Sequence, residues 1–128
     1  MHEQPEISAL SDAAFRLHYS AREYASHNLT DGYVPGDQPS RLVRMRRPKR
    51  TVLELLEAKL WHEAARPCAA CLAQRAAAGA IASAAHDGYL IHGYLDDQPP
   101  RHKVLAARAA ARRRMDAIRG GERSPEQP

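Results

Sequence analysis

Cys68 and Cys71 form a C-x-x-C pair inside "LWHEAARPCAACLAQRAAAGAIASAAHDGYLIHGYL", Leu60 to Leu95, with histidines at 62, 86 and 92 around it. An ion that takes ligands from both ends of such a stretch forces distant residues to converge, which restricts the fold more than any other feature of the chain. In a protein with no export signal, C-x-x-C is more often a metal or redox pair than a disulfide. Zinc takes four nitrogen or sulfur ligands in a tetrahedron, and a C-x-x-C knuckle supplies two thiolates from one tight turn. His62 and His92 lie on two short extended segments, "LWHE" and "GYLIHGYL", whose antiparallel pairing would set them opposite each other. The set His62, Cys68, Cys71 and His92 is therefore expected to hold a structural zinc that clips the hairpin shut beneath its insert. His86 is the alternative fourth ligand, and the plainer reading is two unliganded cysteines among histidines that pack or face solvent.

Redox and catalytic roles for the pair fit less well. Pro67 and a helix in the alanine-rich stretch would suit a reactive cysteine, but a thioredoxin-like site needs a βαβ context that the sequence does not offer. A catalytic zinc needs a general base in a cleft, and only Glu63 is adjacent. The chain has no G-x-S-x-G, P-loop or H-E-x-x-H, since "HEAA" lacks the second histidine. An enzyme is not expected.

The 128 residues suit one small domain with a tail. Its 44% hydrophobic content is largely alanine, with one Phe and one Trp, so the core must be thin. "MHEQPEISALSDAA" has neither a basic n-region nor an apolar h-region, and no run approaches the ~18 apolar residues of a membrane span. A soluble, cytoplasmic protein with no membrane contact is expected.

The net charge of +4 hides a segregation. "RLVRMRRPKR", Arg41 to Arg50, holds six basic and no acidic residues, and Arg101 to Arg119 holds seven basic residues against Asp116 alone. The remainder carries 6 basic and 14 acidic residues. Local fields rather than net charge attract a polyanion, so nucleic acid leads as partner class; solvated faces that touch nothing are the alternative.

Ser11 is placed to cap a helix over Asp12 to His27, with Ala14, Leu17, Ala21 and Ala25 at helical spacing and Asn28 closing it. "LTDGYVP" follows as a turn at Asp31-Gly32, a short extended piece at Tyr33-Val34 and a stop at Pro35. A short second helix is expected near Ser40 to Met45. Pro48 separates it from a third, capped by Thr51, with Leu53, Leu56 and Leu60 on one face and Glu54 and Glu57 away from it. After Asp87-Gly88, Tyr89, Ile91 and Gly93 alternate with Leu90, His92 and Tyr94. "DDQPPRHK" breaks the chain and starts a last helix with a stripe of Val104, Ala107, Ala111, Met115 and Ile118, expected to pack on the domain or against a second copy. Arg108, Arg112, Arg113 and Arg119 lie away from the stripe. Gly120 and Gly121 end this helix before a disordered tail.

This order, three helices and then a hairpin, predicts a mainly α fold with a small β-hairpin (α+β), the winged variant of the helix-turn-helix. The domain would span 1–98, with the Cys/His insert at 60–95, a basic C-terminal helix at 99–119 and the tail at 120–128. "LSDAAFRLH", "LTDGYVP", "LLEAKLWH" and "GYLIHGYLDDQPPRHKV" resemble, in order, the N-terminal winged-helix module of uncharacterised actinobacterial and actinophage proteins similar to phage replication initiators. The resemblance covers about residues 8 to 108. It departs at Lys59, where the pattern has glycine, and at Gly93, where it has aspartate. It implies a DNA-associated winged helix, and variants of that group with C-x-x-C share the histidine after Leu-Trp, which supports His62 as a ligand.

A reading head with Glu54 and Glu57 outward is poor at reading bases, so double-stranded DNA would be held mainly by its phosphates, in a replication or transcription role. The expected contacts are Arg41, Arg44, Arg46, Arg47, Lys49 and Arg50, joined by Arg108, Arg112 and Arg113. The alternative is a phage-type adaptor that binds a host or phage protein through its winged-helix surface and last helix, as a monomer or as a homodimer through that helix.

Overall fold

The computed structural model describes residues 9–80 and 87–123. Its elements run α1 (Asp12–Asn28), β1 (Tyr33–Val34), α2 (Pro39–Leu42), α3 (Pro48–Glu57), β2 (Trp61–Glu63), α4 (Ala69–Ala78), β3 (Tyr89–Ile91), α5 (Tyr94–Asp97) and α6 (Arg101–Arg123). The protein is a small, mainly α domain with one three-stranded antiparallel sheet of order β1-β3-β2. The expected hairpin is β2-β3, and Tyr33-Val34 adds a third strand on the other side of β3.

Helix α1 starts as its sequence predicts. Ser11 is extended (φ −66°, ψ 161°) and its hydroxyl accepts the Ala14 N–H at 3.2 Å, satisfying one of the helix's open donors. Ala14, Leu17, His18, Ala21 and Ala25 form its buried stripe. The helix closes one residue later than expected, because Leu29 and not Asn28 takes the left-handed conformation (φ 53°), while the Asn28 amide donates to the Tyr24 carbonyl.

The middle helices differ from expectation. α2 is only Pro39–Leu42. Pro48 begins α3 instead of preceding it: its fixed φ and missing N–H suit the first helical position, where no intrahelical bond is lost. Thr51 is consequently not a cap but a buried interior residue whose hydroxyl donates back to the Arg47 carbonyl at 3.0 Å. The buried face is Thr51, Val52 and Leu55, whereas Leu53 is half exposed. Because the helix ends at Glu57, Leu60 no longer follows the helical period and is buried by the turn into β2.

Both departures from the resembled pattern fall on left-handed backbone. Lys59 has φ 61° in that turn, where a glycine would carry no Cβ penalty. Gly93 has φ 66° and starts α5, so the predicted alternation stops at Ile91 and Tyr94 turns back into the core.

Leu17, Val34, Leu55 and Trp61 are fully buried at the centre of a cluster that includes Ile91 and Tyr94. Each such side chain contributes on the order of 1.5–3 kcal/mol. Within the cluster, the Trp61 indole N–H donates to His18 Nδ1 at 3.2 Å. Burial, and then the neighbouring Arg22 charge, push the His18 pKa down to about 4, so the ring is neutral at pH 7.

Helix α6 runs through Gly120 and Gly121 to Arg123 instead of ending there, since glycine is tolerated in a helix at a cost of about 1 kcal/mol. Of its stripe, Val104 and Ala111 are half-buried, whereas Ala107, Met115 and Ile118 are exposed and not packed on the domain. No helix among the described residues is long and apolar enough to cross a membrane.

Candidate metal centre and basic surfaces

Three local structures build the cysteine-histidine cluster. Strand β2 carries His62. The pairs Trp61–Ile91 and His62–Leu90 put His92 across from Leu60, whose carbonyl accepts the His92 N–H at 2.7 Å. His62 and His92 are thus diagonal neighbours and not the directly opposed pair expected from spacing. An offset of two residues keeps both on the same face of the sheet. The third part is α4: Cys68 caps it (φ −71°, ψ 160°), with its sulfur accepting the Cys71 N–H at 3.3 Å, and the alanine-rich run that follows is a strong helix former.

The knuckle brings both sulfurs to His92. Its Nδ1 lies 3.2 Å from Cys71 Sγ, 3.6 Å from Cys68 Sγ and 2.8 Å from His62 Nε2. The four ligand atoms lie within 4.8 Å of one another, a cluster that could hold a metal ion. A tetrahedral ion with bonds of zinc's length separates such atoms by about 3.3–3.8 Å; the two imidazole nitrogens stand closer than this, and both sulfurs lie near that distance from His92 Nδ1.

The electrostatics favour the ligating forms of Cys68 and His62 but not of Cys71. Burial alone would push the Cys68 thiol up, but the Cys71 and Ala70 amides aimed at its sulfur outweigh it, and its pKa falls below that of an ordinary thiol. Burial, together with its sulfur neighbour, raises Cys71. Burial and then the neighbouring His92 lower the His62 pKa, which favours its neutral, ligating form. Among the described residues the quartet contains the first-choice ligands; His86 lies outside them.

The expected basic contacts fall into two groups. Arg41, Arg44, Arg46, Arg47, Lys49 and Arg50 are all exposed along α2, the loop and the first turn of α3. Among the described residues, Arg41 is the one of these six in an ion pair, with Asp37 at 3.4 Å. Arg108, Arg112 and Arg113 are exposed on α6. The structure places the two expected carboxylates differently from each other. Glu54 accepts the Ser11 N–H and hydroxyl, both at 2.7 Å, and so helps cap α1, whereas Glu57 is exposed.

No family model, curated protein or solved structure matches the chain.

One junction escaped the sequence reading. Asp31, read only as part of a turn, is buried (φ 55°), and its carboxylate accepts the Arg101 N–H at 2.6 Å at the start of α6. Its carbonyl accepts from the Arg75 guanidinium of α4. The next residue, Gly32, accepts the Ile91 N–H at 3.0 Å, and a Cβ there would stand 2.8 Å from Tyr94. A second link joins α4 to α6, where His102 Nε2 bonds the Ala78 carbonyl at 2.8 Å. The Asp-Gly pair marked the turn, but nothing local signals partners 44 and 70 residues away.

Proposed function

We propose that this protein is a small zinc-containing winged-helix DNA-binding protein that grips duplex DNA mainly by its phosphates. Supporting the winged-helix part is the order helix, strand, two helices, then a hairpin, with the early strand beside the last one. Zinc is the ion that best suits a two-histidine, two-cysteine set in a closed knuckle, and its role would be structural. The observation that carries the DNA reading is the set of six exposed basic side chains between Arg41 and Arg50, which leads into the N-terminus of α3. Neutralising phosphates with such side chains releases counterions and gives sequence-independent affinity. The sequence resemblance to the N-terminal module of uncharacterised actinobacterial and actinophage proteins similar to phage replication initiators agrees with this reading and suggests a replication or transcription setting.

The test is a salt titration of binding to duplex DNA. A steep log-log dependence is expected for the wild type. The Arg46→Ala, Arg47→Ala, Lys49→Ala, Arg50→Ala combination should flatten it by up to about 0.9 for each phosphate no longer neutralised, with specificity little changed. Glu57→Gln should strengthen binding slightly by lifting repulsion. Glu54 is unsuitable for that purpose because it caps α1. Absence of salt-dependent binding near physiological ionic strength overturns the DNA reading.

A second reading, a protein adaptor or homodimer working through the last helix, is favoured by the exposure of Met115 and Ile118 (50% and 57%). Concentration-independent monomer mass, with no protein co-purifying, would sink it.

A further inference from the structure

Beside the basic run, α2, the start of α3 and the central strand enclose an open groove of about 580 Å³. Its lining combines two kinds of surface. Pro39, Val52 and Tyr89 provide apolar and flat faces, and Arg47, Lys49 and Arg50 provide positive charge. The Tyr89 ring also packs against Trp61, with centroids 5.5 Å apart, so the buried core supports it from behind. Such a volume is within the range of small-molecule sites, roughly 300–1,000 Å³, which smooth phosphate tracking of a duplex does not require.

We infer that this groove takes an unpaired nucleotide of a DNA strand, its base against Tyr89 and its phosphates on Lys49 and the flanking arginines. Charge sets the direction. Glu63 pairs directly across from Tyr89 on β2, so phosphate is favoured at the α3 end and the uncharged base at the strand end. Stacking on an aromatic side chain is the usual way to hold an unpaired base, and it tolerates any base because each has a π-face. An acidic peptide would share the charge but fits less well. Peptides extend a sheet along a free edge, whereas Tyr89 belongs to the central strand and the β1 residues do not line the groove. The inference rests on the DNA-binding reading and narrows it to duplex carrying unpaired ends or openings.

The experiment compares full-length protein binding to three labelled DNAs at one salt concentration: a blunt duplex, the same duplex with a short thymine overhang, and that overhang made abasic. The overhang should tighten binding by roughly 5- to 150-fold, the range expected for one stacked base, and the abasic version should lose most of the gain while keeping its phosphates. Tyr89→Leu should abolish the gain without altering blunt-duplex affinity, and Tyr89→Phe should keep it; thermal melting checks that both fold. Equal binding of blunt and thymine-tailed duplex overturns the groove proposal even if salt-dependent duplex binding stands. A full gain from the abasic overhang overturns it too, as does competition by polyglutamate matching that of a thymine oligonucleotide of equal charge. Binding of the tailed DNA alone, with none to blunt duplex, supports the groove and removes the duplex reading instead.

Discussion

Trp61 and His62 are neighbours in the chain, yet they serve opposite faces of the sheet, and the two faces are held by different physics. On the Trp61 side, α1 and α3 bring Leu17, Val52 and Leu55 against Ile91 and Tyr94, and burial of apolar surface is enough to fix the arrangement. On the His62 side, the covering element is α4, where Cys71 is the buried residue and Leu72 is 60% exposed. Among the described residues that face buries little apolar surface besides Leu90, and four potential ligand atoms lie between the sheet and its cover. One strand thus joins an apolar core to a layer whose side chains could hold an ion.

Removing the ion should break the comparison most strongly. Chelation, or Cys71→Ser, is expected to cost about 4 kcal/mol when free metal stands near a thousand times its Kd. Hydrogen exchange should show the loss in residues 61–79 and 89–92, with α1 and α3 protected. Uniform loss across both faces, or elemental analysis without metal, would contradict the division. His92→Ala should weaken metal binding most, since His92 Nδ1 lies near all three other ligand atoms.

Acid should act on the other face through His18. Its folded pKa of about 4 lies below the ordinary 6.5, so the stability tied to its neutral form is complete above pH 6.5 and is lost as pH falls towards 4. The loss is on the order of 3 kcal/mol. Denaturation of wild type and His18→Gln between pH 7 and 4 isolates it: the wild type should lose more stability, whereas parallel curves would mean that His18 charges freely.

The smallest effect concerns the turn that joins the faces. Lys59→Gly should stabilise by about 0.5–1 kcal/mol by relieving left-handed backbone at the end of α3. A decrease would show that the lysine side chain contributes something that its backbone does not reveal.

Much of this division could be read from the sequence wherever the signal was local. The Ser11 cap and alanine stripe located α1, and the C-x-x-C spacing with strand-borne histidines identified the ligand quartet. The hairpin was legible too, but its register was not, because spacing alone cannot tell opposed from diagonal residues. Pro48 was misread because proline both stops and starts helices, and only the packing of Val52 and Leu55 decides which. Glu54 looked like a solvent-facing charge since its partner, Ser11, lies 43 residues away. The same distance problem concealed Asp31.

The Asp31-Gly32 turn makes the last helix a lever. α6 is anchored near its first residues, through Arg101 and His102, while Met115 and Ile118 beyond them are exposed. At about 1.5 Å per residue its 23 residues extend about 34 Å, so a tilt of about 10° at the fulcrum moves the tip by about 6 Å. α4, which carries both cysteines, also bonds to that fulcrum through Arg75, so the ligand quartet and the base of the lever share one junction.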